Sequence, residues 1–170
     1  MELGELAAEL VSALSARGLT VAVAESCTGG LLGHSITNVP GSSRAFLGGV
    51  LAYADSVKQN TLGVPAALLA EHGAVSAPVA LAMARGARWA LGADLAVSTT
   101  GIAGPDGGTA TKPVGLVFLS VNGPRGESWR RFQTNGGRLE NKQAFAVAAL
   151  SLLLEYLRDD GDLSGSESRG

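Results

Sequence analysis

The 170-residue chain carries a single cysteine, Cys27, so it can form no internal disulfide, and a reducing, cytoplasmic setting is the default expectation. Histidine is almost as scarce, with only His34 and His72. One cysteine and two separated histidines make no cluster of metal-ligand spacing, so neither a structural zinc nor a metal cofactor is expected. Charged residues are 16% of the chain, the net charge is −2 and the pI is near 5.7. That balance argues against a basic surface for direct nucleic-acid binding. No apolar run reaches the roughly 18 residues of a membrane span. The N-terminus places Glu2, Glu5 and Glu9 at helical spacing, unlike the basic start of a signal peptide.

Hydrophobic residues, by contrast, make up 46% of the chain, enough for one well-packed core at this length. The 24 glycines are about twice the ordinary share of roughly 7%, and they gather in short turns rather than in a repeat. Leu3, Leu6, Ala7, Leu10, Val11 and Leu14 recur at helical spacing, and Gly18 stops that helix. Thr20–Ala24 reads as a short buried strand ending at Glu25, and the turn Ser26–Gly30 opens a second helix to about Ile36. A strand over Phe46–Ala54 follows the turn Pro40-Gly41-Ser42-Ser43. Asp55 is placed to cap a short helix carrying Lys58, and Ser76 with Pro78 to start a helix ending near Leu91. Asp94–Thr100 is a third strand, leading into a Gly/Pro-rich loop from Gly101 to Pro113. Val114–Val121 and Glu127–Thr134 read as a hairpin, and Leu139–Leu157 as a last amphipathic helix. Residues 1–158 are thus expected to form one domain, and the polar stretch 159–170 a disordered tail. Alternating helices and strands with a late antiparallel hairpin predict an α/β fold, a three-layer α/β/α sandwich with a mixed central sheet.

Three segments stand out for chemistry: AESCTGG at 24–30, GSS at 41–43 with Tyr53 and Lys58 beyond it, and TGIAGPDGGTATKPVG at 100–115. Together they resemble the C-terminal domain of the competence/damage-inducible protein CinA, a nicotinamide-nucleotide amidase family, over nearly the whole chain to about residue 157. The resemblance implies hydrolysis of the carboxamide of nicotinamide mononucleotide to nicotinate mononucleotide and ammonia. It also implies an α/β/α fold and a tendency to form homo-oligomers. Many relatives carry a further molybdopterin-binding-like domain with no counterpart in these 170 residues.

The residues can be read beside that resemblance. Amide hydrolysis needs a nucleophile, a base and donors for the oxyanion. Ser26 lies at a strand-to-helix corner, an exposed geometry for a nucleophile, and the N–H groups of Thr28, Gly29 and Gly30 at the helix start are candidate oxyanion donors. Ser26 could equally serve only as a helix cap. Two histidines are too few to favour a Ser-His-Asp triad, and both read as structural. A lysine base fits better, because arginine cannot deprotonate whereas a buried lysine can fall toward neutrality. Arginine outnumbers lysine ten to three, and Lys58 is the candidate base, with Tyr53 relaying or orienting; a solvated helix charge and a packed strand tyrosine are the plainer alternatives. Cys27 is the rival nucleophile, without an evident partner. Ser42 and Ser43 are assigned to substrate contact or loop shaping. Gly101, Gly104 and Gly107, with Lys112, make a candidate nucleotide-binding loop, a role that rests on the resemblance. It lacks the strand–GxGxxG–helix form of a dinucleotide fingerprint, and no organic cofactor is expected. Arg138 and Lys142 share a helix face and suit a phosphate. Relatives usually have Asp where Gly137 stands and Arg where Lys142 stands, which leaves Lys142 between a binding role and a solvated face.

Two functions follow. One is a serine–lysine amidohydrolase acting on a small nucleotide; the other is a non-catalytic nucleotide-binding module linked to competence or DNA damage. A phosphatase would want a carboxylate cluster for metal, and the Asp and Glu residues are scattered.

Overall fold

A computed structural model describes residues 1–159. The elements, in chain order, are α1 (Leu3–Arg17), β1 (Val21–Glu25), α2 (Leu31–Thr37), β2 (Phe46–Leu51), α3 (Asp55–Asn60), α4 (Ala66–His72), α5 (Ala77–Leu91), β3 (Leu95–Gly101), β4 (Leu116–Gly123), β5 (Gly126–Gln133) and α6 (Arg138–Arg158). The strands form one sheet in the order β2-β1-β3-β4-β5. β1 pairs parallel with both β2 and β3, while β3, β4 and β5 pair antiparallel. The sheet is mixed, and the architecture is the expected α/β/α sandwich.

The three layers follow from the period-two alternation of side chains along each strand. Val21 and Val23 of β1, with Leu95 and Val97 of β3 and Val117, Leu119 and Val121 of β4, face α1, α2 and α6 in one core. The intervening Ala22, Ala24 and Ala96 face the other way, toward α5 and the loop after α3. Alanines on that face let α5 lie close to the sheet. The large residues on the first face fill the wider gap under α6.

Local signals explain most boundaries. Gly18, at φ 64, closes α1 in the left-handed region, its N–H reaching the Leu14 carbonyl. Gly137 precedes α6, and the Glu140 carboxylate turns back to accept from the Gly137 N–H at 2.8 Å. Three details differ from the sequence expectation. β2 ends at Leu51: the Ala52 N–H makes the last ladder bond, to the Glu25 carbonyl, and β1 ends there, so the residues beyond have no strand beside them to pair with. Asp55 is the first residue of α3 rather than its cap, a place where a carboxylate suits the helix dipole. Ser76 does precede α5, but its hydroxyl donates to the Gly73 carbonyl instead of capping the helix. The helix α4 and a 3-10 turn over Ser42–Arg44 were not anticipated, and α4 buries no residue fully, so its apolar pattern is weak. The polar stretch expected to be disordered lies outside the described residues except for Asp159.

Gly86 in mid-α5 shows the closeness of this packing: a Cβ there would sit 1.9 Å from the Leu62 carbonyl oxygen. Alanine would gain about 1 kcal/mol of helix propensity. The contact is with backbone, however, so α5 would have to shift, at a cost of about 1–3 kcal/mol or more. Gly86→Ala is therefore expected to lower stability despite the better helix former. Denaturant unfolding would check this, and a variant as stable as the parent would contradict the close approach.

Candidate active site

The strand β1 ends in Glu25, whose carboxylate is 1% exposed and aimed back under the following turn. One oxygen accepts from the Thr28 hydroxyl at 2.7 Å, the Gly30 N–H at 3.0 Å and the Leu32 N–H at 3.1 Å; the other accepts from the Gly33 N–H at 2.9 Å. The Thr28 hydroxyl also meets that of Thr99 at 2.8 Å. The Gly29 N–H donates to the Ser26 carbonyl at 3.1 Å. Gly29 and Gly30, at φ 61 and 96, supply the left-handed backbone that brings these donors inward.

This arrangement changes the reading of the turn. The N–H groups of Gly29 and Gly30, expected to receive an oxyanion, are already committed within the chain. Thr28 is fully buried and serves the Glu25 carboxylate. Ser26 is itself buried, at 8% exposure, rather than exposed as the corner suggested; it lines a cavity, and its N–H donates to the Thr99 carbonyl at 3.1 Å and so fixes it against β3.

Lys58 reaches Ser26 from α3. Its Nζ lies 3.1 Å from Ser26 Oγ, 2.7 Å from the Ala52 carbonyl and 3.2 Å from the Tyr53 carbonyl. The side chain is essentially buried, and burial holds its amine below the ordinary value of 10.5; Asp55, with Oδ1 at 3.8 Å, opposes that shift. Tyr53 holds the amine through its backbone carbonyl, while its exposed phenol accepts from Arg138 at 3.2 Å. The phenol therefore does not relay between Lys58 and Ser26.

These residues open onto a cavity of about 190 Å³, walled also by Cys27, Ala74, Val75, Thr100, Gly101 and Ala103. Gly101 allows β3 to run against β4 here, since a Cβ would meet the Leu116 carbonyl at 2.6 Å. Arg138, at the start of α6, lines the rim; its guanidinium donates to the Gly104 carbonyl at 2.6 Å. Cys27 also lines the cavity, but burial pushes its thiol up to about 12, with the Thr99 side chain offsetting part of the rise. Its thiolate is thus scarce at neutral pH.

Other expected residues lie apart. Ser42 precedes β2, and the parallel register pairs Val21 with Phe46 and Glu25 with Leu51. Ser42 therefore sits at the opposite end of the strands from Ser26, and Ser43 beside it. Lys112 donates to the His72 carbonyl at 2.5 Å and ties its loop to the end of α4. Gly107, at φ 91, shapes that loop beyond the cavity wall. Lys142 lies over Gly29, in a separate groove with His34, Leu3, Leu31 and Leu139. Sequence reasoning missed the capping role of Glu25 and the presence of Asp55 at the cavity. A charged residue closing an all-apolar strand was the available signal for the first.

No group of three or more His, Cys, Asp and Glu side chains among the described residues could hold a metal ion. Likewise, none of the described helices is long and apolar enough to cross a membrane. Matching against family models aligns residues 3–157 with the CinA C-terminal domain. The chain belongs to that family. It is 53% identical, over 89% of its length, to a CinA-like protein of Parasynechococcus marenigrum, and 49% identical over 98% to one of Gemmatimonas aurantiaca. The chain spans 37% and 39% of the length of those two curated CinA relatives. Among solved structures, the competence damage-inducible protein A of Klebsiella pneumoniae superposes with a TM-score of 0.91 at 34% identity, covering 95% of this chain and all of that one. The competence/damage inducible protein CihA of Agrobacterium tumefaciens gives 0.89 at 39% identity, covering 91% and 95%.

Two outcomes follow from this geometry. Glu25→Gln turns an amide N–H₂ toward at least one backbone donor, so the variant should lose about 2–3 kcal/mol, read by chemical denaturation; a loss below 0.5 kcal/mol, roughly the range of a harmless surface change, would contradict the role given to Glu25. Cys27 should resist alkylation by iodoacetamide in the native state at pH 8 and react once the chain is unfolded, as followed by mass spectrometry.

Proposed function

We propose that the chain hydrolyses the carboxamide of nicotinamide mononucleotide, with Ser26 as nucleophile and Lys58 as general base. The observation that carries this reading is the Ser26 Oγ–Lys58 Nζ distance of 3.1 Å, within the reach a base needs. The two carbonyls on the amine add to it. A neutral lysine has two N–H bonds and one lone pair. With the N–H bonds given to Ala52 and Tyr53, the lone pair is left for the Ser26 hydroxyl proton. An arginine could not take that part.

The steps balance as follows. Ser26 Oγ attacks the carboxamide carbon and its proton passes to Lys58. The tetrahedral intermediate expels ammonia, which takes that proton, and leaves an ester on Ser26. Water, deprotonated by Lys58, then attacks the ester; the acid is released and the proton returns to Ser26 Oγ. Among the backbone donors, the Cys27 N–H is our choice for the oxyanion, because it follows the nucleophile directly and accepts no part in the Glu25 network. Arg138, bonded only to neutral acceptors at the rim, is assigned to the phosphate, with Gly101 and Gly104 shaping the wall beside it. Cytoplasmic operation, without metal or organic cofactor and as a homo-oligomer, completes the reading.

Ammonia release from nicotinamide mononucleotide by the pure protein is the primary test; none at millimolar substrate would overturn the reading. Ser26→Ala and Lys58→Met should each lower kcat by about 10²–10⁴ while the chain stays folded. Protonated Lys58 cannot accept the hydroxyl proton, so kcat should fall as pH drops. Because the amine is lowered, the midpoint of that limb should lie below 10.5, and Asp55→Asn, removing the charge that opposes the shift, should move it lower still. A pH–rate profile of both proteins decides this.

A further inference from the structure

The cavity contains one charged group that the mechanism leaves unused. Asp55 projects from the first turn of α3 into the space above Lys58, its side chain 60% exposed. Its carboxylate accepts no hydrogen bond from any described residue. Lys58 Nζ lies 3.8 Å from it, beyond hydrogen-bond reach. As the first residue of α3 its charge suits the helix dipole, but it makes no hydrogen bond to the N–H groups of that turn, so its oxygens are left for a ligand.

Its position has a chemical consequence. To receive a proton from Lys58, the leaving nitrogen of an amide must come to within hydrogen-bond distance of Nζ. The Ala52 and Tyr53 carbonyls occupy one side of that amine and Ser26 Oγ another. The proton that Lys58 takes from Ser26 faces the cavity that Ser26, Lys58 and Asp55 line together, so a nitrogen entering it to receive that proton also approaches the Asp55 carboxylate. A carboxamide presents N–H₂ there and can donate to it. The acid formed by hydrolysis presents a negative oxygen and no N–H.

We infer that Asp55 is the residue by which this site tells an amide from its acid, accepting an N–H of the bound carboxamide and repelling the carboxylate product. The inference rests on the amidase reading of the Ser26 site. It gives discrimination by both a gained hydrogen bond and a built-in repulsion, which together separate ligands better than either alone. It also assigns Asp55 a part in product release, since the repulsion arises only once the acid is free.

The test is direct binding, with turnover blocked. Calorimetric titration of Ser26→Ala with nicotinamide mononucleotide and with nicotinate mononucleotide should show the amide bound at least about tenfold tighter. In Ser26→Ala with Asp55→Asn, that ratio should collapse toward one, chiefly because the acid binds tighter. Removing Asp55 also favours neutral Lys58, which would weaken binding of the acid; a gain in acid affinity therefore cannot come through the lysine. Unchanged thermal unfolding would show that the exposed substitution leaves the fold intact. Both ligands bound at the same ratio in the two proteins would overturn the role of Asp55 alone. Failure of Ser26→Ala to bind either nucleotide would overturn the substrate reading, and this inference with it.

Discussion

A carboxylate taken out of water at the end of a central strand must be met by hydrogen bonds or it destabilises the fold by several kcal/mol. Glu25 meets this requirement through the turn that follows it. Its two oxygens gather the Thr28 hydroxyl and three backbone N–H groups, two of them from α2. Because α2 has seven residues and no side-chain cap of its own, the same carboxylate also satisfies the donors at its start. Once those donors converge on Glu25, the backbone of residues 26–30 has little freedom left, and the Ser26 side chain is held at the cavity wall. The placing of Ser26 thus depends on a buried charge one residue earlier.

The topology determines where that corner lies. The chain passes from β1 to β2 by way of α2, on the face shared with α1 and α6, and from β2 to β3 by way of α5, on the other face. With strand order β2-β1-β3, the loop after β1 turns into α2 while the chain leaving β3 returns as β4 of the same sheet, which leaves a gap between the two carboxyl ends. Ser26 sits in that gap, bonded to Thr99 of β3. The cavity is therefore a product of connectivity, and Lys58 enters it because β2 stops at Leu51 and turns across the carboxyl end of β1.

Periodicity made the layers legible from sequence: alternating apolar residues in β1, β3 and β4, and glycine stops such as Gly18, act locally and read locally. The Ser26–Lys58 juxtaposition was open to inference because residue scarcity narrowed the choice of base, though a separation of 32 in sequence meant that only the fold could bring them within 3.1 Å. Harder to see was the competition for donors. A turn with glycines ahead of a helix reads as a set of free N–H groups, and nothing local reveals that the Gly30 N–H is given to Glu25 and the Gly29 N–H to the Ser26 carbonyl. The same limit hid the true position of Ser42, since a serine-rich turn reads alike at either end of a parallel strand and only the register with β1 tells which. Asp55 read as a cap because its neighbours in sequence form a helix start, while its neighbours in space form a cavity.

Burial, charge and hydrogen bonding meet at Lys58 Nζ. Burial disfavours its charge, and Asp55 partly restores it. The two carbonyls would stabilise an ammonium as readily as they orient a neutral amine, so neither protonation state leaves a donor unmet. An amine placed so can lose and regain a proton with little rearrangement around it, which is what a general base in a two-step hydrolysis must do. A glutamate at this position would face two carbonyl oxygens and a nearby aspartate, and an arginine would stay charged throughout. The choice of lysine follows from the surroundings that α3 and the end of β2 create, and those surroundings follow in turn from the early termination of β2 over Glu25.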